Sequence, residues 1–278
     1  MNQALRTARV TGLDQEQTKA LLRQSCSYLA TTDFERTPPE ISEELYKLFS
    51  RQTGNQDPYY FLKRESIKKA LELYPDLKKK VSEAADPLRT SLKISLAGNI
   101  IDFGAGAVAD WARIESFLDP GNLEIDHYEW LKEDLKKARK IIFLGDNAGE
   151  TVFDRLFLEQ LEQKVIYAVR EKPIINDATL EEAKLSRLEE VAKLVSSGCQ
   201  APGTVLQSCH PEFLSLLSEA DLIIAKGQGN FECLEQERGP FYFLLKAKCE
   251  VVARYLGVKP GSLVITRSRN FIPKYHRS

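Results

Sequence analysis

Apolar positions recur at three- and four-residue spacing through the first third of the chain, in Asp14–Ala30, Pro39–Arg51 and Pro58–Leu73. That rhythm predicts amphipathic helices. Turns or helix starts are expected at Thr37-Pro38-Pro39, Gly54-Asn55, Asp57-Pro58, Tyr74-Pro75 and Asp86-Pro87. No β-branched run long enough for a strand interrupts this part.

After about residue 138 the pattern changes. Lys140–Leu144, Val165–Val169, Leu222–Ala225 and Leu263–Thr266 are short, continuous apolar runs, and Phe241–Leu245 reads as one more. Such runs suit parallel strands buried on both faces. Helical stretches fall between them, at Thr151–Gln163, Thr179–Leu194, Pro211–Ala220 and about Lys248–Leu256. Alternation of this kind predicts a doubly wound α/β layer. The expectation is an α/β protein: an all-helical domain over residues 1–97, then a three-layer α/β/α domain with a mostly parallel sheet over residues 98–278. Ser91–Trp130 reads as the passage between them.

Ligands of an open α/β sheet bind beyond the carboxyl ends of its strands. Three of those ends carry polar residues: Gly145-Asp-Asn-Ala-Gly-Glu150, Arg170 through Asp177, and Lys226-Gly-Gln-Gly-Asn230. Asp146 and Asn147 offer hard oxygen donors suited to magnesium or manganese, and Asp177 adds a second carboxylate. A helix beginning near Gly149 or Glu150 points backbone N–H groups at the same place. Lys226 can meet phosphate oxygens as a compact positive charge. Each motif also has a plain reading, as a turn, a helix cap or a tight glycine loop. Their convergence on one sheet edge favours a shared site. Asn99 and Asp102 lie three apart, on one helix face, and either line the pocket or cap a helix.

Composition narrows the picture little. Of 278 residues 43% are apolar and 28% charged, and the formal net charge is -1, which gives no reason to expect nucleic acid or an anionic membrane as partner. The five cysteines stand at irregular spacings without a C-x-x-C, against a disulfide framework or structural zinc and in keeping with a reducing compartment. No run of about 18 apolar residues occurs, and a cytoplasmic protein is expected.

At Gly98-Asn-Ile-Ile-Asp102, Gly145-Asp-Asn-Ala-Gly-Glu150 and Lys226-Gly-Gln-Gly-Asn230 the chain resembles the domain-of-unknown-function 89 proteins, the metal-dependent damage-control phosphatases. Asp57-Pro-Tyr59, Pro173-Ile-Ile-Asn-Asp177, Ala201-Pro-Gly-Thr204 and Leu244-Leu-Lys-Ala-Lys-Cys249 resemble the prokaryotic branch in the same order. The resemblance implies a phosphomonoester hydrolase acting on small phosphorylated metabolites, sugar phosphates among them, with manganese, cobalt, nickel or magnesium. It implies a cation on Asp146, Asn147 and Asp177, and matches Lys226 to the family's active-site lysine. Asp146 and Lys226 are then the expected catalytic residues. Asn99, Asp102, Gly149, Glu150, Asn230 and Glu232 are expected to contact substrate or orient water. Members of the branch usually carry a C-x-x-C before an Arg-Gln; Gln3 matches that glutamine and the cysteines are absent from this sequence. Two other readings of the same crevice are a nonenzymatic metabolite or nucleotide sensor and an S-adenosylmethionine-dependent methyltransferase.

Overall fold

Seven strands form one sheet in the computed structural model, which describes residues 1–98 and 123–274. They are β1 (Leu123–Asp126), β2 (Ile141–Leu144), β3 (Val165–Val169), β4 (Ala192–Ser196), β5 (Leu222–Lys226), β6 (Phe241–Lys246) and β7 (Leu263–Arg267), in the order β1-β7-β6-β5-β2-β3-β4. β4, β3, β2, β5 and β6 are mutually parallel; β7 lies antiparallel to β6 and parallel to β1.

Alternation within the strands builds two cores. Ile141, Phe143, Tyr167 and Ile224 enter one, and Ile142, Leu144, Ala168 and Ile223 the other. Because both faces are buried, the strands read as unbroken apolar runs. The first core is covered by α5 (Pro87–Ala97), α6 (Tyr128–Lys137), α7 (Glu150–Leu158) and α8 (Leu180–Leu185). The second is covered by α9 (Pro211–Glu219), α10 (Gly227–Leu234) and α11 (Glu250–Leu256). The result is the expected three-layer α/β/α arrangement.

Of the remaining helices, α1 (Asn2–Val10), α2 (Gln15–Ala30) and α3 (Pro38–Thr53) form a cap. Their core joins Ala4, Leu21, Tyr46 and Phe49 to Ile174 from the loop after β3. α4 (Tyr60–Ser82) lies against α5 and α7, burying Ile67, Ala70, Leu77 and Val81 beside Val152 and Leu156. It runs straight through Tyr74-Pro75, where a turn is expected from the sequence. Proline removes one helical hydrogen bond, but the buried stripe continues on both sides of it.

Two strands depart from the sequence pattern. The expected helix Thr179–Leu194 is only α8, ended by Arg187 in a left-handed conformation (φ 60°), and its tail is the edge strand β4. β1 lies inside the stretch read as a passage. Both are edge strands with half-exposed residues, so neither shows a continuous apolar run.

From β2 the chain winds outward through β3 and β4, then returns to place β5 on the other side of β2. The order reverses between β2 and β5, and this switch point is where open α/β sheets take ligands.

Candidate active site

Backbone pairing locks together the two loops that carry the predicted oxygen donors. Past the end of β2 the Gly145 N–H donates to Ala168 O (2.9 Å), the Ala148 N–H to Asn176 O (2.8 Å), and the Ala178 N–H to Asp146 O (2.8 Å). Asn147 and Asp177 face each other across an isolated antiparallel bridge. The loop delivering Asp177 contains Ile175 at φ 46°, a left-handed conformation rare for a β-branched residue. Its side chain, with that of Ile174, packs into the cap.

Two glycines are required by closeness. A Cβ on Gly227 (φ 82°) would stand 2.0 Å from Asp146 Oδ2, so the β5–α10 turn passes directly against that carboxylate. A Cβ on Gly145 would stand 2.6 Å from the Tyr167 hydroxyl, which reaches past it to Asp154 Oδ2 (2.7 Å).

Asp146 and Asp177 are both buried. Burial first, and then the Asp177 charge, push the Asp146 carboxyl up to about 6. Asp177 is raised by burial against the opposing pull of Arg170. The Asn147 amide donates to Asp146 Oδ2 (3.2 Å) and Glu150 Oε1 (2.6 Å); a half-turn of that amide presents its oxygen on the same side. Within this linked cluster the buried carboxylates are Asp146, Glu150, Asp154 and Asp177, and the buried cations are Arg170 and Lys226. Ionised, the acids outnumber the cations by the charge of one divalent ion. Among the described residues no three His, Cys, Asp or Glu side chains form a metal-ligand group. Two carboxylates and an amide are a sparse oxygen set of the kind that leaves positions for water and phosphate. The residues fit a hard divalent cation.

Lys226 is fully buried beneath this pair. Its Nζ lies 2.7 Å from Ser95 O, 2.7 Å from Asp154 Oδ1 and 2.9 Å from Glu150 Oε2. Burial acts to lower its pKa, but Asp154 and Glu150 outweigh it and hold the ammonium charged. The expected contact with phosphate therefore gives way to an internal anchor: all three N–H bonds have protein acceptors. Glu150 is pushed up to about 7 by burial, with Lys226 opposing.

These shifts fix a pH dependence. Unfolded carboxylates titrate near ~4, so the folded, metal-free protein binds more protons than the unfolded chain between there and about 7. Stability contributed by this pair falls as pH rises through that window. A divalent cation binds the ionised forms, so the thermal shift on adding manganese to chelator-treated protein is expected to grow between about pH 5 and about pH 7.5. Differential scanning fluorimetry reads it; a shift of constant size would contradict the titrating pair.

The other predicted residues divide. Gly149 caps α7 and is buried. The Glu150 and Thr151 amides, expected to face an anion, donate to Asn147 O and Ala148 O. Asn230 is buried and braced, with Nδ2 donating to Lys226 O (2.7 Å) and Gly145 O (3.2 Å). Glu232 is half-buried and accepts from Gln228 (2.8 Å). Asn99 and Asp102 lie outside the described residues; Gly98, which precedes them, abuts Glu150 Cγ and Phe153. Sequence reasoning gave no role to Asp154, Ser95, Thr204 or Arg170, all built into the cluster. The available signal was a charge inside an apolar helix face (Asp154) and a charge directly after a buried strand (Arg170). Cys199, Cys209 and Cys233 pack with Ala201 and Val205, as thiols in a small core.

The profile described as the damage-control phosphatase ARMT1-like domain matches residues 1–264. An uncharacterized protein of Methanocaldococcus jannaschii is 38% identical over 83% of this chain and 80% of its own length. A damage-control phosphatase of Pyrococcus horikoshii is 37% identical over 81% of this chain and 78% of its own. The crystal structure of a DUF89 family protein from Pyrococcus horikoshii superposes with a TM-score of 0.90 at 33% identity, covering 96% of this chain and 95% of that one. No described helix is long and apolar enough to cross a membrane. With its sheet, its switch-point cluster and these relatives together, the chain belongs to the damage-control phosphatase ARMT1-like family.

Proposed function

We propose that the chain is a metal-dependent phosphatase that hydrolyses small phosphate monoesters, with Asp146, Asn147 and Asp177 holding a divalent cation. The observation that carries this reading is the pair of buried carboxylates, Asp146 and Asp177, on two loops joined at the Asn147–Asp177 bridge. Arg170 pairs directly with Asp177 only, and burial beside that carboxylate leaves Asp146 costly to ionise. Relatives from Pyrococcus horikoshii and Archaeoglobus fulgidus are named damage-control phosphatases, which supports the same chemistry here.

When bound, the cation supplies positive charge to phosphoryl oxygens and acidifies water. The chain's own residues do the rest. Asp146 and Asp177 set the position of the charge, and Asn147 adds an amide dipole. Glu150, whose carboxyl titrates near neutrality, is placed beside them to hold or pass a proton. Lys226 fixes Glu150 from beneath and biases the local potential towards anions. Asn99 and Asp102, which come after Gly98 in the sequence, are proposed as substrate contacts.

The test is phosphate release from p-nitrophenyl phosphate and a panel of sugar phosphates, using chelator-treated protein resupplied with manganese, cobalt, nickel or magnesium. Turnover is expected only with metal. Tight phosphometabolite binding with no turnover under any of these metals would instead make the chain a sensor.

A further inference from the structure

Arg170 follows β3 directly and is buried. Its backbone N–H closes the neck of the Asp177 loop by donating to Ala178 O (3.0 Å). Its guanidinium spans two loops and the first turn of α10. Nε donates to Asp177 Oδ2 (2.9 Å), Nη1 to Thr204 Oγ1 (3.0 Å) and Nη2 to Asn230 Oδ1 (3.1 Å). The Thr204 hydroxyl donates in turn to Asn230 Oδ1 (2.8 Å), and the Asn230 amide donates to the carbonyl of Gly145, the residue before Asp146.

We infer that Arg170 is a positioning residue for cation binding: it holds one oxygen of Asp177, leaves the other for the ion, and ties the Asp177 loop to the loop bearing Asp146. The inference rests on the metal-dependent reading above. Three features carry it. The fork uses a different nitrogen for each of its three partners, Asp177, Thr204 and Asn230, which a planar guanidinium can do and an ammonium cannot. The bond to Asp177 is charge-assisted, so it fixes the carboxylate's rotation as well as its place. Through Asn230 the same network reaches the backbone on both sides of the crevice, at Gly145 and Lys226. Backbone bonds between the two loops fix how far Asp146 lies from Asp177, and Arg170 adds the direction in which the Asp177 carboxylate faces. Groups that orient metal-binding side chains in this way typically contribute 10–100-fold to affinity.

Manganese affinity, measured by electron paramagnetic resonance of the free ion and by calorimetry, reads this without reference to turnover. Arg170→Lys keeps the charge and loses the fork; its manganese dissociation constant is expected to rise about 10–100-fold. Arg170→Ala is expected to lose more and to recover affinity when millimolar methylguanidinium is supplied, a recovery that a merely structural role would not give. Variants that bind manganese within about twofold of the parent while folded would overturn the inference. Should the Arg170 variants fail to fold, Thr204→Val removes one arm of the network at nearly constant volume. That variant is expected to weaken manganese binding severalfold while still unfolding in one cooperative transition, at a midpoint lowered because a buried guanidinium N–H loses its acceptor, and unchanged affinity in it overturns the inference equally. A parent protein that binds no divalent cation removes the functional reading itself, and the inference with it, whereas tight parental binding with indifferent variants removes only the role of Arg170.

Discussion

Asp146→Asn is expected to lower metal-dependent phosphate release by about 10³-fold or more while leaving the metal-free fold at least as stable as the parent. The substitution keeps the side chain's volume and removes one of two neighbouring buried negative charges. Because burial and Asp177 together raise the Asp146 carboxyl to about 6, ionising it near neutral pH opposes folding, and an amide relieves that cost. Activity and stability should therefore move in opposite directions. Steady-state assays at saturating manganese and urea melts of chelator-treated protein, both at about pH 7.5, measure the two. A variant keeping activity within about tenfold of the parent would remove Asp146 from the proposed site.

Lys226→Met has the opposite signature. It takes the ammonium from a fully buried position where Asp154 and Glu150 are its partners. Breaking a buried ion pair from one side typically costs about 3–5 kcal/mol, because the remaining charge has no counterion. For a chain of this size that corresponds to roughly ten degrees in melting temperature. The folded-state pKa of Lys226 is raised, so its contribution is fully present below the ordinary lysine value and is lost only above the folded one. The deficit in the variant should accordingly be large at about pH 8 and shrink towards about pH 5, as Glu150 takes up a proton. Restoring neutrality with Asp154→Asn in the same chain is expected to recover part of the loss. A loss under about 1 kcal/mol at the higher pH would mean that the cluster is not the anchor its distances indicate.

The strands legible in the sequence were those buried on both faces, such as Ile141–Leu144 and Leu222–Lys226. Their apolar runs are forced by two helical layers. β1 and β4 escaped because an edge strand needs only one apolar face and can carry outward residues such as Glu124 and Lys193. Proline 75 misled for a related reason: tertiary burial of α4 overrides a local preference to stop. The Asp146–Asn147 and Asp177 positions were readable because loops at strand ends must open on one edge. What those loops spend their hydrogen bonds on was not. Asn230 sits in a glycine-rich segment typical of ligand loops, yet its amide is consumed by Gly145 and Lys226 carbonyls. Lys226 ends β5, a place suited to a phosphate-binding lysine, but Ser95 and Asp154, from α5 and α7, accept hydrogen bonds from its ammonium. Periodicity says which face a helix buries; it does not say which buried polar group meets which.

The cap and the proposed cation site share one segment: Ile174 and Ile175 are packed among α1–α3, while two and three residues on stands Asp177. The strained backbone at Ile175 can persist only while its side chain is held. Under the proposed reading, docking of the helical lobe and loading of the ion form a thermodynamic cycle, in which each changes the other by the same factor. Changes on the lobe's inner surface are then expected to retune ion affinity, and the ion to act in turn as a brace for the amino-terminal helices.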